Sequence, residues 1–595
     1  MALDHLIQNA NQLLEKGDYF GVYDCIQKPL EKGEFNSDLV YLGLLALARS
    51  GATRQALELY ETFHERLPEE TRFLSLLARL YKDLCNNSRN PENQKVLGER
   101  SRELYMEAYN KNPSYYPLIN AATLSLLVGD EVASKKQAET VLELCAKDPD
   151  GSGINGFYLR ATQAEAALLL GRTDEAVGRL QEAREICPWD LGNLSTTYQQ
   201  LNRICKKRGI TLDTLEAIRP PTVITYTGQM VHGIGKSPGM DPTDEDAIRT
   251  HITALLDQHR VRVAYGSLAC GADILVAEAV LESQGELNII LPFGREEFKR
   301  ISVAPGGESW VKRYEAILCR ASSVTQIVEE AITGHDLLFE ACSRQGMGLA
   351  HLRSQTLGSR AYQIAVWNQL NVDNPAGTSG AMRRWNDLGL ENLIVPVPPP
   401  RSEGVKPTIK IEPAPPGLQR QMKAMIFADV KGFSAMNERQ IAIFMARWFN
   451  ALETIKTKHT EHIQYINTWG DAAYLVIDEV PTAANLALEL AGMFNDWDYF
   501  ELGLPTNLGL RVAAHVGPIF QTDNPVLGKP DFFGKHVNQT ARLEPCTPPG
   551  SVYVTEPFAA LISLEGEGGY RCEYVGNHPL PKGFGRIRMY HLKEL

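Results

Sequence analysis

Proline divides this chain. Residues 395–420 read VPVPPPRSEGVKPTIKIEPAPPGLQR. Each proline ring fixes φ and removes a backbone donor, so a run like this forms neither a helix interior nor a central strand. It stiffens toward extended polyproline geometry and spaces whatever lies on either side. With 595 residues the chain is also too long for one hydrophobic core. The patterns on the two sides of the proline run, and within the first side, differ enough to assign the bodies separately.

Residues 1–210 read as helix after helix. LGLLALARSGATRQALELYETFHERLP and ALLLGRTDEAVGRLQEAREICP share one template. Each has an apolar helix, a glycine turn (Gly51, Gly171), an alanine where the helices meet (Ala56, Ala176) and a proline past the second helix (Pro68, Pro188). Small residues let paired helices approach, and stacked pairs bury a continuous core. The pattern resembles tetratricopeptide repeats. LARLYKDLCNNS followed by PSYYPLINAATLSLLVGD also resembles the TRAF-binding regulatory region of apoptosis signal-regulating kinases. That resemblance implies the fold and a regulatory role, and the long concave surface of a solenoid suits a protein partner.

From residue 221 the pattern changes to strands alternating with helices. TVITYTG, VRVAYG, LNIILPF, SSVTQIVE, YQIAVWNQ and ENLIVPV read as strands, and NPAGTSGAMRRWNDLG enters a helix. Such alternation specifies a parallel sheet with both faces covered. Glycine turns between strand and helix place backbone N–H groups at the carboxyl edge, where α/β folds bind phosphates and nucleotides. YTG, GSLACGAD, LPF and AGTSG resemble the SLOG family of Rossmann-like domains. The resemblance implies a nucleotide-derived ligand in a pocket lined by Gly228, Gly266, Ser267, Gly271, Asp273, Gly377 and Thr378.

After the proline run, two carboxylates stand beside apolar runs. FADVKGFS places Asp429 after MIFA, and NTWGDA places Asp471 before AYLVI. Two aspartates on neighbouring strands can hold a pair of hard divalent cations, which take oxygen ligands and leave room for phosphate. A third segment, DFFGKHVNQTAR at 531–542, puts Asn538 and Arg542 four apart, on one helix face. Together the three segments resemble the catalytic domain of class III nucleotidyl cyclases, the adenylyl and guanylyl cyclase family. The resemblance implies two cations, Mg²⁺ or Mn²⁺, on Asp429 and Asp471, and a triphosphate held by the turn from Lys431 through Gly432, Phe433 and Ser434, with Arg511 and Lys582. It implies that Asn538 orients the ribose and that Arg542 neutralises charge growing on the α-phosphoryl group. It also implies a head-to-tail homodimer. One domain supplies the aspartates and Arg511, and the other supplies Asn467, Asp531, Asn538, Arg542 and Lys582.

Base choice follows from Asp531 and Asn467. An ionised carboxylate only accepts hydrogen bonds, so Asp531 favours the exocyclic amine of adenine or cytosine over the carbonyl of guanine or uracil. Asn467 departs from the family pattern, which has lysine or glutamate there. The expected substrate order is ATP, then CTP. The CTP reading would place the chain in a defence or stress pathway. A non-catalytic nucleotide-binding scaffold is the remaining reading.

The formal charge of −12 is spread along the chain and argues against broad nucleic-acid binding, leaving room only for a local basic groove. Ten cysteines stand singly with no C-x-x-C pair, as in a reducing compartment. MALDHLIQNANQ lacks a secretory pattern, and no apolar run reaches the roughly 18–20 residues that span a bilayer. The expectation is a cytoplasmic multidomain protein. Its order is a helical repeat domain (1–212), a Rossmann-like α/β domain (220–398), a Pro-rich linker (399–420) and an α+β, ferredoxin-like cyclase domain (421–595).

Overall fold

The computed structural model describes residues 2–33, 35–88, 90–147, 153–188, 190–231, 239–369, 375–398, 418–526 and 528–595. Most of the Pro-rich linker, residues 399–417, lies outside them. The chain separates into two compact units. The first holds residues 1–221 with 355–359 and 573–576, and the second holds the remainder. No helix among the described residues is long and apolar enough to cross a membrane.

The first unit is helical from Ala2–Glu15 to Leu191–Arg208. The turn glycines do what their positions require. Gly51 ends the helix Ser37–Ser50 at φ +85°, and Gly171, between the helices Gly153–Leu169 and Thr173–Ile186, has φ +78°. In that left-handed region glycine carries no Cβ penalty. Ala56 and Ala176 are fully buried where the paired helices meet. The interior is partly polar. Glu165 accepts from Thr123 Oγ1 at 2.6 Å and from Gln200 Nε2 at 2.8 Å, and Lys82 donates to Asn120 Oδ1 at 2.7 Å. Burial pushes the Lys82 ammonium down to about 8.

The second unit contains two sheets. The first has six parallel strands: β1 (Thr222–Gly228), β2 (Val261–Gly266), β3 (Glu286–Leu291), β4 (Ser323–Gln326), β5 (Ala361–Trp367) and β6 (Asn392–Pro396). Their order is β4-β3-β2-β1-β5-β6, so the direction of winding reverses between β1 and β5. β1, β3 and β5 are almost continuously buried, as a sheet covered on both faces requires. SSVTQIVE is strand only as far as Gln326. Ile327 and Val328 then bend over the end of β3, donating to Leu291 O at 2.9 Å and Pro292 O at 3.4 Å.

The second sheet is mixed. Its strands are β7 (Gln419–Lys431), β8 (Ile463–Trp469), β9 (Ala472–Ile477), β10 (Gly509–Asn524), β11 (Lys529–Phe533), β12 (Val552–Thr555), β13 (Tyr570–Pro579) and β14 (Arg586–Glu594). The order is β13-β14-β12-β10-β7-β9-β8, with β11 antiparallel to β10. β7 and β10 pair antiparallel along their length, from Gly509 opposite Lys431 to Gln521 opposite Gln419. The run MIFA therefore lies in the middle of the sheet, and Met425, Ile426 and Ala428 are buried.

Candidate active site

The register of the central strands builds the site. Asp429, two residues from the end of β7, faces Arg511 of β10. Arg511 Nη2 donates to Asp429 Oδ2 at 2.5 Å, and Arg511 Nε lies 2.5 Å from Glu544 Oε1. Asp471 is not on a strand. It occupies the two-residue turn Gly470–Asp471 between β8 and β9, with Trp469 paired to Ala472 across it. Such a turn needs a left-handed residue, and Gly470 supplies it at φ +64°. Trp448 Nε1 donates to Gly470 O at 3.2 Å and pins the turn to the helix Glu438–Lys458.

Negative charge is in excess here. Burial, then the charge of Asp429, pushes the Asp471 carboxyl above its ordinary value. Burial, then Asp429, pushes Glu544 up to about 7. Among the described residues no three acidic, histidine or cysteine side chains form a metal-holding cluster. Asp429 and Asp471 act on each other's charge, and paired carboxylates of this kind suit hard cations, which complete their shells with phosphate and water.

The phosphate turn differs from expectation in one respect. Gly432 is left-handed (φ +94°) and Phe433–Ala435 form a single 3₁₀ turn, but the long helix starts only at Glu438. Asn437 Oδ1 accepts from Gln440 N at 3.0 Å while Asn437 N donates to Gln440 Oε1 at 3.1 Å. This capping box closes the N-terminus of the long helix on itself, beyond the 3₁₀ turn.

A second cluster surrounds Asp531. Asp531 Oδ2 accepts from Asn524 Nδ2 at 2.9 Å, and Asp531 Oδ1 accepts from Phe532 N at 2.9 Å. Tyr465 on β8 is also hydrogen-bonded to Asp531. Asn467 follows Tyr465 by two residues, so both side chains leave the same face of β8.

A third cluster forms on the helix Lys535–Leu543. Arg542 Nη1 donates to Asn538 O at 3.2 Å, and the guanidinium lies 4.2 Å from the Phe584 ring centroid. Phe584 ends the turn that carries Lys582, which is exposed and left-handed at φ +61°. The structure thus joins Asp429, Asp471 and Arg511 in one cluster and joins Arg542 to the Lys582 turn in another.

Residues 419–594 match the family model described as Adenylate and Guanylate cyclase catalytic domain. Residues 18–125 match a model described as TPR-S, Tetratricopeptide Repeats-Sensor. The chain thus has a tetratricopeptide sensor region toward its N-terminus and a class III cyclase catalytic domain toward its C-terminus. A Rhizobium meliloti (strain 1021) protein named "Putative adenylate cyclase 3" is 28% identical over 149 residues, covering 23% of each chain. The match thus spans less than a quarter of that relative. Among solved structures, the adenylyl cyclase CyaB from P. aeruginosa matches 30% of this chain and 96% of its own, at 16% identity and a TM-score of 0.27. The guanylate cyclase domain of RhGC from Catenaria anguillulae in complex with GTP matches 30% and 98%, at 16% identity and 0.26.

The residues of the expected pocket in the six-stranded sheet gather at its carboxyl edge. Gly228 ends β1, Gly266 ends β2, Gly271 precedes the helix Ala272–Glu282, and Gly377 precedes the helix Thr378–Asp387. Protein atoms fill the space beside three of them. A Cβ on Gly228 would fall 2.2 Å from Ala272 Cβ, one on Gly266 2.4 Å from the Tyr226 ring, and one on Gly271 2.6 Å from Gln229 O. Tyr226 donates to Ser267 O at 2.9 Å. Asp273 accepts from Ala269 N at 3.1 Å, and burial pushes its carboxyl up to about 7. At this edge the three glycines serve close packing first.

Three residues of the C-terminal domain escape a reading of the sequence by motif. Glu544 follows Arg542 by two and is legible as an acid next to the motif. Tyr465 is legible as the same-face neighbour of Asn467. Asn524 reaches Asp531 through the β10–β11 hairpin, which no local pattern announces.

Proposed function

We propose that the chain is a cytoplasmic class III nucleotidyl cyclase that converts ATP to 3′,5′-cyclic AMP and pyrophosphate. The observation that carries the reading is the Asp429–Asp471–Arg511 cluster, a pair of crowded carboxylates beside a phosphate-binding cation at one end of the sheet. Two divalent cations on these aspartates would lower the energy of the attacking 3′-oxygen and of the leaving pyrophosphate together.

The chain's own residues supply the rest. The turn at Gly432, Phe433 and Ser434, with Arg511 and Lys582, holds the triphosphate. Asn538 orients the ribose so that its 3′-oxygen lines up with the α-phosphorus. The O3′–P bond forms, the α–β phosphoanhydride breaks, and the 3′-proton passes to solvent. Arg542 stabilises the charge that grows on the α-phosphoryl oxygens in the transition state. Asp531, held by Asn524 and Tyr465, accepts from the N6 amine of adenine, and Asn467 donates to a ring nitrogen. Cytosine offers an equivalent N4 amine, so CTP is the second substrate on the same chemistry.

The split between the aspartate cluster and the Arg542–Lys582 cluster supports a homodimer in which each site draws one cluster from each copy. Trp469 supports a docking face beside the site, since it is 56% exposed and stacks with Tyr474 and Phe427. The six-stranded sheet is read as a Rossmann-like, SLOG-like regulatory domain for a nucleotide-derived ligand. The reversal between β1 and β5 supports that reading. The helical repeats are read as a regulatory partner site, with a cleft lined by Tyr41, Ser75, Arg79 and Tyr116.

The test is incubation of the full-length protein with Mg²⁺ or Mn²⁺ and each of the four nucleoside triphosphates, with product identified by mass. Cyclic AMP, or cyclic CMP, supports the Asp531 argument. Cyclic GMP or cyclic UMP as main product refutes it, and no product from any substrate refutes the enzyme reading.

A further inference from the structure

His536 sits inside the third motif, two residues before Asn538, and the proposed chemistry leaves it unused. Its ring lies in a space that only a glycine leaves open, since a Cβ on Gly517 of β10 would fall 2.4 Å from His536 Nδ1. The ring lies edge to edge with that of His515 on β10, with centroids 5.0 Å apart and planes 10° apart. Three contacts link them into a chain. Thr555 Oγ1 lies 2.7 Å from His515 Nδ1, His515 Nε2 lies 2.7 Å from His536 Nδ1, and His536 Nε2 lies 3.1 Å from Ile327 O.

The last contact fixes the rest. A carbonyl oxygen only accepts, so His536 Nε2 carries the proton and donates. With a neutral ring, His536 Nδ1 then accepts, so His515 Nε2 must donate, and His515 Nδ1 accepts from the Thr555 hydroxyl. Burial holds both imidazoles below their ordinary range, His536 at about 4, in keeping with two neutral rings. Every ring nitrogen is used once.

Ile327 belongs to the bend that follows β4 of the six-stranded sheet. That bend is tied to the end of β3 by Ile327 N to Leu291 O (2.9 Å) and by Gly294 N to Glu329 O (3.0 Å). The same bend meets the catalytic domain twice more. Glu329 pairs with Lys535, and Glu330 O accepts from the Arg420 guanidinium at 3.4 Å. The start of the helix that presents Asn538 and Arg542 is therefore held from the carboxyl edge of the neighbouring sheet.

The geometry points to His536 as a positioning residue: through its bond to Ile327 O, the six-stranded domain sets where Asn538 and Arg542 stand. A shift at the ends of β3 and β4 would move this carbonyl and with it the catalytic helix. The inference rests on the reading of Asn538 and Arg542 as catalytic residues, and it deepens that reading by naming what regulates them.

Two isosteric halves of histidine test it in the full-length protein. His536→Gln keeps a donor at the Nε2 position and so keeps the bond to Ile327 O. His536→Asn keeps an acceptor at the Nδ1 position, so it retains His515 and loses Ile327. The expected result is kcat within about threefold of wild type for Gln and at least tenfold lower for Asn, with KM for the triphosphate unchanged in both. Amide exchange across 535–543 should speed up in Asn and not in Gln. A merely structural role would lower the melting temperature of both and separate neither kcat nor exchange. Equal kcat and equal exchange in the two variants, or the reverse ranking, overturns the inference. Wild type without product in any nucleotide defeats the cyclase reading instead, and the exchange comparison still decides the role of His536.

Discussion

Two sheet edges in the second unit are written in the same alphabet and read differently. Both place glycine turns and an aspartate next to buried strands. At the six-stranded sheet, Tyr226 covers Gly266, Ala272 and Val366 close on Gly228, and Asp273 turns inward to cap Ala269 N. At the eight-stranded sheet, nothing lies within 4 Å of where a Cβ on Gly470 would stand, and Asp429 and Asp471 are only part-buried beside Arg511. The lesson is that a glycine–aspartate turn becomes a site only when the sheet beside it leaves the carboxylate uncovered and crowds it with a second charge. Where the packing closes, the same letters make a joint.

The largest effect should come from the open edge. Asp429→Asn or Asp471→Asn should lower cyclic-nucleotide formation on the order of 1,000-fold. Asp471→Asn should not lower the melting temperature of the metal-free protein, because it relieves a like-charge contact with Asp429, whereas Asp429→Asn also gives up its ion pair with Arg511. A variant that keeps wild-type turnover would remove the metal reading.

The closed edge should respond in stability. Gly266→Ala drives a methyl into the Tyr226 ring and should cost about 1–3 kcal/mol. Gly470→Ala meets no atom and should cost about 1 kcal/mol for its positive φ alone, while displacing Asp471 enough to lower turnover. Chemical denaturation and product assays on the pair read both halves. If Gly266→Ala is as stable as wild type, the packed-joint account of that edge fails.

Asp273 sharpens the contrast through pH. Its folded value of about 7 stands above the ordinary 3.8. The folded state thus holds the proton more tightly, and stability falls as pH rises from about 4 to about 7, then levels. Asp273→Asn cannot titrate, so it should match wild type at pH 4 and exceed it by about 4 kcal/mol at pH 8. Parallel stability curves at all pH values would show an Asp273 that is ionised when buried.

The smallest effect concerns base choice. Tyr465→Phe removes one hydrogen bond to Asp531, worth about 1 kcal/mol. It should cut the ratio of kcat/KM for ATP over GTP by about fivefold, with little change in kcat for ATP. An unchanged ratio would mean that Asn524 alone holds the carboxylate.

Much of the architecture is legible because apolar runs bounded by glycine and proline have few alternatives. The strands of the parallel sheet, the left-handed turns at Gly51 and Gly171, and the pairing of β7 with its neighbours all follow from such patterns. The start of the long helix is also written in the sequence, as Asn437 and Gln440 at capping-box spacing, a signal that the phosphate-turn reading passes over. β4 stops short of SSVTQIVE because its one neighbour, β3, ends at Leu291, whose carbonyl takes the Ile327 N–H. Glu544, Asn524 and the His515–His536 pair are not legible as partners. Their contacts join segments separated in sequence, and only the register of β10 against β7, β11 and the Lys535–Leu543 helix brings them together.

The most direct test of the account mixes two inactive proteins. Asp429→Asn lacks one cluster of the site and Arg542→Ala lacks the other. In a head-to-tail homodimer the mixed dimer carries one site with both defects and one with neither. Random exchange of subunits should therefore return about a quarter of wild-type cyclic-nucleotide formation. A mixture that stays as inactive as its components, with subunit exchange demonstrated, would place both clusters in one copy's site and contradict the account.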